Sequence, residues 1–283
     1  MRRILKIISN FSILYISPAV RKVCFLLFLA ATVCIGCQWQ LKPADVEPDE
    51  PKVSIQRYDR IESLYLTTGD YSALQQMNTY YPRQTRLLLE DVLHLGQVDD
   101  PEIKTKFLHY FQDSTLQSML AEVQRQYADT DDLDASLSVA CRRLREMLPS
   151  VEIPEVYAQI GSFDQSIIVG SNTLGISLDK YLGSDYPFYQ SHYTPRQRSM
   201  MVRSMIVPDC LSFYILSLYP LSQRELQQPR VRDEHMGKIQ WVVNHVMRDD
   251  IFQSDAVSAV SRLMKRQPMD IGELLNSRSP VSY

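Results

Sequence analysis

The fold is decided at residues 151–178, which read VEIPEVYAQIGSFDQSIIVGSNTLGISL. The stretch is rich in isoleucine and valine, and Gly161, Gly170 and Gly175 interrupt it, which is typical of short strands joined by turns. We predict two or three strands here, with Gly161-Ser162 and Gly170-Ser171 in the turns. Because helical patterns lie on both sides of the stretch, the sequence predicts an α+β domain that is mostly helical with one small sheet.

Residues 53–149, which precede the strands, carry apolar side chains three and four positions apart, and this spacing predicts about six helices. The candidate starting residues of five of them are Asp70, Pro82, Pro101, Asp113 or Ser114, and Asp131. Two histidines in this part, His94 and His109, have no partner at the spacing of a metal site. They are predicted to be packed or surface side chains.

Helical spacing returns after the strands. The predicted helices run from Pro195 through Ile206, from Asp209 to Pro220, from Val231 to Met247 and from Asp255 to Met264. Asp209 follows Pro208 where a helix would begin, and this position favours an N-cap over an active-site carboxylate.

The first 36 residues have the pattern of a lipoprotein signal. An uncharged run from Val23 to Cys34 is shorter than the roughly 20 residues that span a bilayer, and Ile35-Gly36-Cys37 follows it. The basic residues before the run are Arg2, Arg3, Lys6, Arg21 and Lys22. We therefore predict cleavage before Cys37 and lipid attachment to this cysteine, with an uncleaved membrane anchor as the alternative.

The chain is predicted to have three parts: the signal at 1–36, an acidic, proline-containing tether at 37–52, and one folded domain at 53–283. The domain comprises a helical part, 53–149, and a part with the sheet and further helices, 150–283. The whole chain has 30 basic and 33 acidic residues. Without the five basic residues of the signal the balance is 25 against 33, a net charge of −8. This acidic balance argues against a nucleic-acid partner.

Motifs for catalysis and metal binding are missing from the sequence. It contains no phosphate loop, no glycine-rich dinucleotide fingerprint, no G-x-S-x-G and no His-Glu-x-x-His. His235 and His245 lie ten residues apart on one predicted helix, about 15 Å along its axis, and cannot share one ion without a kink. Cys141 and Cys210 fall in different apolar stretches and are predicted to be buried and reduced. No metal or cofactor is therefore predicted.

The most distinctive segment follows the last predicted strand and reads GISLDKYLGSDYPFY, residues 175–189. The other distinctive blocks are Val156-Tyr157, Ile160 and Phe163, then Ile206-Val207-Pro208-Asp209, then Gly237-Lys238-Ile239. In order and spacing these blocks closely resemble the GldB family of gliding-motility lipoproteins of Bacteroidota. The resemblance is specific over roughly residues 150–245, and the segment 249–283 looks shortened or divergent.

The resemblance implies a palmitate-carrying lipoprotein of the outer membrane that faces the periplasm. It implies association with gliding-motility and secretion machinery and no known catalytic activity. It also implies a distant similarity to zinc-protease-like, or zincin-like, proteins, whose metal-binding helix would correspond to Met205–Tyr219. That segment contains Pro208, Asp209 and Cys210 but no histidine, so we expect a degenerate zincin-like scaffold without its metal site.

Two classes of function remain open. The favoured one is a non-catalytic, membrane-anchored scaffold that binds other cell-envelope proteins. Its candidate binding residues are Asp179, Lys180, Tyr181, Asp185, Tyr186 and Tyr189. The same segment can equally be structural, with its aromatic rings packed and its acids capping backbone N–H groups. The alternative function is a hydrolase derived from a zinc-protease scaffold, with a carboxylate set such as Asp179, Asp209 and Glu234.

A structural role is also possible for His235 and Lys238, at the Gly237-Lys238-Ile239 block. His235 and Lys238 lie three residues apart on one predicted helix, so both side chains can face the same side. An ion-pair network with Asp233 or Glu234 is the interpretation that we favour there.

Overall fold

The computed structural model describes residues 52–277, which belong to one compact unit. The predicted signal, Cys37 and all but the last residue of the predicted tether lie outside the described residues. Within 52–277, no helix combines the length and the apolar character needed to cross a membrane.

Among the described residues, six helices lie ahead of the strands found between residues 155 and 177, in agreement with the predicted number of about six. They are α1 Tyr58–Thr68, α2 Tyr71–Tyr80, α3 Pro82–Leu87, which continues into a π-helical turn at Leu88–Val92, α4 Ile103–Tyr110, α5 Ser114–Gln126 and α6 Asp131–Met147. Their apolar stripes meet in a common core that includes Phe107, Phe111, Met119 and Leu137.

Helix starts follow the expected caps in α2 and α5 but not in α6. The Asp70 carboxylate accepts from Ser72 N at 2.8 Å, and Asp113 accepts from the first turn of α5. Asp131, the predicted cap of α6, is instead its first helical residue, and Thr130 occupies the cap position without a side-chain bond. The Asp129 carboxylate accepts from Asp131 N at 2.7 Å, so an acid two residues earlier takes the capping role.

The sheet has four strands, β1 Ile55–Gln56, β2 Glu155–Gln159, β3 Ile167–Gly170 and β4 Thr173–Ser177, in the spatial order β1-β2-β4-β3. The prediction of two or three strands between 151 and 178 is confirmed, and three are present. Strand β1 was not predicted, because two residues are too few to show an alternating pattern. It pairs in parallel with β2, β2 pairs in parallel with β4, and β3 is antiparallel to β4. The fold class, α+β with one small mixed sheet, is confirmed.

The two faces of the sheet differ in chemistry. Side chains alternate along a strand, so Val156, Ala158, Leu174 and Ile176 share one apolar face. The other face carries Tyr157, Gln159, Gly175 and Ser177, and helix α1 packs on it through Tyr58, whose ring lies 6.4 Å from the ring of Tyr157. Tyr157 pairs in register with Gly175, and a Cβ added there would lie 2.5 Å from the Tyr157 hydroxyl. Glycine is needed at position 175 because the Tyr157 side chain occupies the space that a Cβ would take.

Helices follow the sheet to the end of the described chain. They are α7 Pro187–His192, α8 Pro195–Arg198, α9 Ile206–Leu218, α10 Gln223–Leu226, α11 Pro229–Met247, α12 Asp255–Arg266 and α13 Ile271–Asn276, and short 3₁₀ turns lie at Leu178–Lys180 and Arg203–Met205. The helix predicted from Pro195 through Ile206 is wrong, because α8 ends at Arg198 and a bend separates it from the turn before α9. Helices α11 and α12 are confirmed.

The two cysteines within residues 52–277, Cys141 and Cys210, are buried and free, as the sequence predicts. Burial raises the pKa of the Cys141 thiol to about 11, and burial also holds the pKa of Cys210 well above its usual value. Both side chains are therefore protonated and unreactive near neutral pH.

Candidate functional site

Residues 179–189 connect strand β4 with helix α7 and include the first turn of that helix. Their side chains divide into a buried and an accessible set. Asp179, Tyr181 and Tyr189 are almost completely buried. Asp185 is exposed, and Lys180 and Tyr186 are partly exposed. A partner could therefore contact only the second set, to which the partner-binding hypothesis is now limited.

The Asp179 carboxylate holds the loop that follows β2. One oxygen accepts from Gly161 N at 2.7 Å and the other accepts from Phe163 N at 2.5 Å. Burial raises the pKa of Asp179, whereas these two N–H donors act in the opposite direction. Both carboxylate oxygens thus accept hydrogen bonds from backbone N–H groups. This is the structural alternative that the sequence leaves open for the acids of this segment.

The held loop has an unusual backbone. Ser162 and Phe163 are consecutive non-glycine residues with positive φ, 55° and 64°. Such residues cost of order 1 kcal/mol or more each and persist where the surroundings fix them. The Phe163 carbonyl is fixed as well, since it accepts from Lys180 Nζ at 2.9 Å and from the Tyr193 hydroxyl at 3.3 Å. Lys180 therefore supports the loop rather than standing free for a partner.

Tyr181 and Asp209 form a second polar contact inside the protein. The Tyr181 hydroxyl donates to the Asp209 carboxylate at 2.8 Å. Asp209 lies in the first turn of α9, where Met205 is the cap residue, so the predicted N-cap role of Asp209 is wrong. Its side chain points towards Tyr181, and burial raises the pKa of Asp209 to about 6, while the bond from Tyr181 lowers it.

Replacing Asp209 by Asn tests this contact through pH. The folded-state pKa of Asp209 is raised. The contribution of Asp209 to the stability of the folded protein is therefore fully present below its pKa in the unfolded chain, about 4, and is lost as pH rises through about 6. We expect Asp209→Asn to unfold at higher denaturant than the wild type at pH 8 and to lose this advantage at pH 4, a difference of at most about 2–3 kcal/mol. Equal stabilities at both pH values would show that the buried carboxyl carries no such penalty.

An aromatic stack stands beside the loop. The rings of Phe163 and Phe188 are stacked at 4.1 Å, and the His192 ring stacks on the other side of Phe188 at 4.0 Å. Tyr186 packs at 6.3 Å from Phe163 and at 5.0 Å from Tyr189. The partly exposed Tyr186 therefore packs against two buried rings, those of Phe163 and Tyr189.

This stack forms one wall of an open groove of about 650 Å³ between α5 and α7. The aromatic wall presents Tyr186, Phe188 and His192. The opposite wall is a stripe of α5 in which Ser114, Ser118 and Glu122 are four residues apart. A groove with one aromatic wall and one hydroxyl and carboxylate wall can bind both apolar and polar groups. No local pattern indicates that these two helices face each other, because α5 is more than sixty residues away from α7 along the chain.

Glu62 is a buried acid that the sequence did not single out. It lies on α1, is 0% exposed, and accepts from Ile160 N at 2.9 Å through one carboxyl oxygen. Burial, and to a lesser extent the charges of Asp179 and Asp59, raise its pKa well above the usual value, while the Ile160 bond lowers it. In the sequence Glu62 looks like an ordinary polar position of an amphipathic helix.

The remaining candidates lie apart from this region. Glu234, on α11, pairs with Arg230 at 2.8 Å. His235 contacts the Tyr219 carbonyl at 2.7 Å, and Lys238 donates to the Ser277 carbonyl at 2.7 Å. Within residues 52–277, no three His, Cys, Asp or Glu side chains are close enough to hold one metal ion. Asp179, Asp209 and Glu234 thus do not form the metal-binding carboxylate set of the hydrolase hypothesis.

One comparison with known proteins is informative. The family model described as gliding motility protein GldB matches residues 40–251 of the chain, which include every element from β1 to α11. No curated protein and no solved structure matches the chain.

Proposed function

Because the chain belongs to the GldB family of gliding-motility proteins, we propose that it is a non-catalytic, lipid-anchored scaffold of the cell envelope that binds another envelope protein. The family relates the chain to gliding motility and to the envelope. The role of scaffold rests on the region that carries the family motif, where Asp179 and Tyr181 bond to structural partners and not into an open cavity.

The anchor in this proposal is a lipid on Cys37, in the outer membrane and facing the periplasm. Residues 38–52 then act as the tether, since their three prolines and their acids favour extended, solvated backbone. We also propose that the fold is a degenerate zincin-like scaffold, related to zinc proteases but without their metal site. Helix α9 would be the counterpart of a metal-binding helix, and its first two turns carry Asp209 and Cys210 but no histidine.

The binding surface in this proposal is the Asp185-Tyr186 corner together with the groove beside it. Asp185 is exposed and its carboxylate is available, while its backbone carbonyl accepts from Gln190. Tyr186 packs its ring against Phe163 and Tyr189 but remains partly accessible. A rigid aromatic side chain with an acid next to it is a suitable anchor for a protein partner, because little side-chain entropy is lost on binding.

The test is the double substitution Asp185→Ala and Tyr186→Ala in the full-length lipoprotein. We expect an unchanged melting temperature within a few degrees and a loss of at least tenfold in the partner recovered from native membranes. The matched control is Tyr80→Ala with Asp91→Ala, since Tyr80 is 72% exposed and Asp91 is also exposed. Equal recovery with both double variants would place the interface elsewhere.

A further inference from the structure

The contact between α1 and the sheet is polar although it is buried. Three side-chain oxygens of this contact have no hydrogen-bond partner among the described residues: Glu62 Oε1, Tyr157 OH and Gln159 Oε1. Burying a polar atom without a partner costs about 1–3 kcal/mol. A purely structural packing layer would have avoided this cost with apolar side chains, as the opposite face of the sheet does.

Glu62 is the ionisable group at the centre of this layer. One of its oxygens accepts from Ile160 N at 2.9 Å, and the other has no partner. The titratable groups that face it are Tyr58 and Asp59 on its own helix, Tyr157 on β2 and Asp179 after β4. Asp59 already pairs with Arg57 at 2.7 Å. Asp179 accepts two backbone N–H groups, which stabilise its charged form.

Glu62 and Asp179 hold the same piece of backbone. Between them they accept from the N–H groups of Ile160, Gly161 and Phe163. This segment contains the two left-handed residues Ser162 and Phe163, and Phe163 stacks on Phe188 in the wall of the groove. The buried acids therefore connect the polar layer to the proposed binding surface.

We propose that Glu62 carries a proton in the folded protein and works as a latch, so that loss of this proton releases the 160–163 loop and loosens the aromatic wall of the groove. Two negative charges that are both buried and bound to adjacent backbone N–H groups repel each other, and a protonated Glu62 near a charged Asp179 avoids this. A raised pKa at Glu62 agrees with this arrangement. The other titratable groups near Asp179 are the Lys180 ammonium group and the hydroxyls of Tyr127 and Tyr189, which stay uncharged because burial raises their pKa.

The sign of the effect follows from the raised pKa. The stabilising contribution of protonated Glu62 is fully present below its unfolded pKa of about 4.3 and is lost as pH rises through its folded value. Above that value each further pH unit raises the population of the open loop by up to about tenfold. The loop should thus be closed in acid and increasingly open in base.

The experiment is hydrogen–deuterium exchange of the full chain in detergent micelles, between pH 5 and pH 9, on peptides that cover residues 160–164. Rates are divided by the intrinsic exchange rate at each pH. We expect the protection of the wild type to fall at least tenfold across this range and that of Glu62→Gln to stay constant. Gln can keep the acceptor for Ile160 N while it removes the charge. The matched control, Asp91→Asn, changes an exposed acid outside the binding surface and should follow the wild type.

Two results would overturn the latch: protection that is constant in the wild type, or the same pH trend in Glu62→Gln. A Glu62→Gln protein that melts below the wild type at every pH would also contradict it, because a residue that is already uncharged tolerates a neutral isostere. The effect on partner binding rests on the function proposed above, whereas the exchange experiment needs no partner. Failure of the latch and failure of the binding surface are therefore separate outcomes.

Discussion

Replacing Asp179 by Ala is expected to destabilise the folded protein by about 3–5 kcal/mol. The substitution leaves Gly161 N and Phe163 N without an acceptor in a buried place, and each lost bond costs about 1–3 kcal/mol. It also removes the group that fixes the backbone of Ser162 and Phe163 at positive φ. Equilibrium urea unfolding of the wild type and the variant measures the difference directly.

Two further variants separate the role of Asp179 from a general effect of charge. Asp179→Asn keeps one acceptor and places an amide against the other N–H, so we expect a loss of about half that size. Asp185→Ala removes an exposed acid of the same segment and should change the stability by less than about 0.5 kcal/mol. If Asp179→Ala unfolded like Asp185→Ala, the clamp on the 160–163 loop would not exist.

Gly237→Ala is expected to destabilise the protein by about 1–3 kcal/mol, against the usual gain for this exchange inside a helix. A Cβ at 237 would lie 2.5 Å from the Cβ of Ala256 and 3.0 Å from its backbone carbon. Helices α11 and α12 would therefore have to move apart. Gly237→Val should lose more, because two further methyl groups meet the same backbone. Thermal unfolding and urea unfolding of the three proteins give the order.

A compensating substitution makes the Gly237 prediction specific. Ala256→Gly removes the methyl group that the new Cβ meets, so the double variant Gly237→Ala with Ala256→Gly should recover part of the loss. It cannot recover all of it, since a glycine in α12 costs about 1 kcal/mol. Effects of the two single substitutions that simply add would show that no steric contact couples residues 237 and 256.

Most of the fold could be predicted from local patterns. The spacing of apolar residues gave the six helices before the strands, and the glycine-broken Ile and Val stretch gave β2, β3 and β4. The errors lie where a long-range contact decides. Strand β1 exists because Ile55 and Gln56 pair with β2, a hundred residues later. Asp209 looked like a cap after Pro208, but α9 begins three residues earlier and the acid bonds to Tyr181.

The residue types of the site could be predicted from the sequence, but which of its side chains are exposed could not. The sequence showed that residues 179–189 are acidic and aromatic, but exposure depends on what packs above each side chain. Asp179 and Asp185 are the same residue type six positions apart, and one is fully buried while the other is exposed. Glu62 owes its role to Ile160, which lies 98 residues later in the chain, and Gly237 owes its role to Ala256 on the following helix. The helical pattern around Glu62 and Gly237 indicates neither contact.

The most direct test of the proposed binding of a partner by the Asp185-Tyr186 corner is photo-cross-linking in native membranes. A photoreactive phenylalanine analogue is placed at 186 in the full-length chain, and at 80 as the exposed control. We expect one discrete adduct from position 186 that disappears when Asp185→Ala is added, and no such adduct from position 80. No adduct from 186, or the same adducts from both positions, would contradict it.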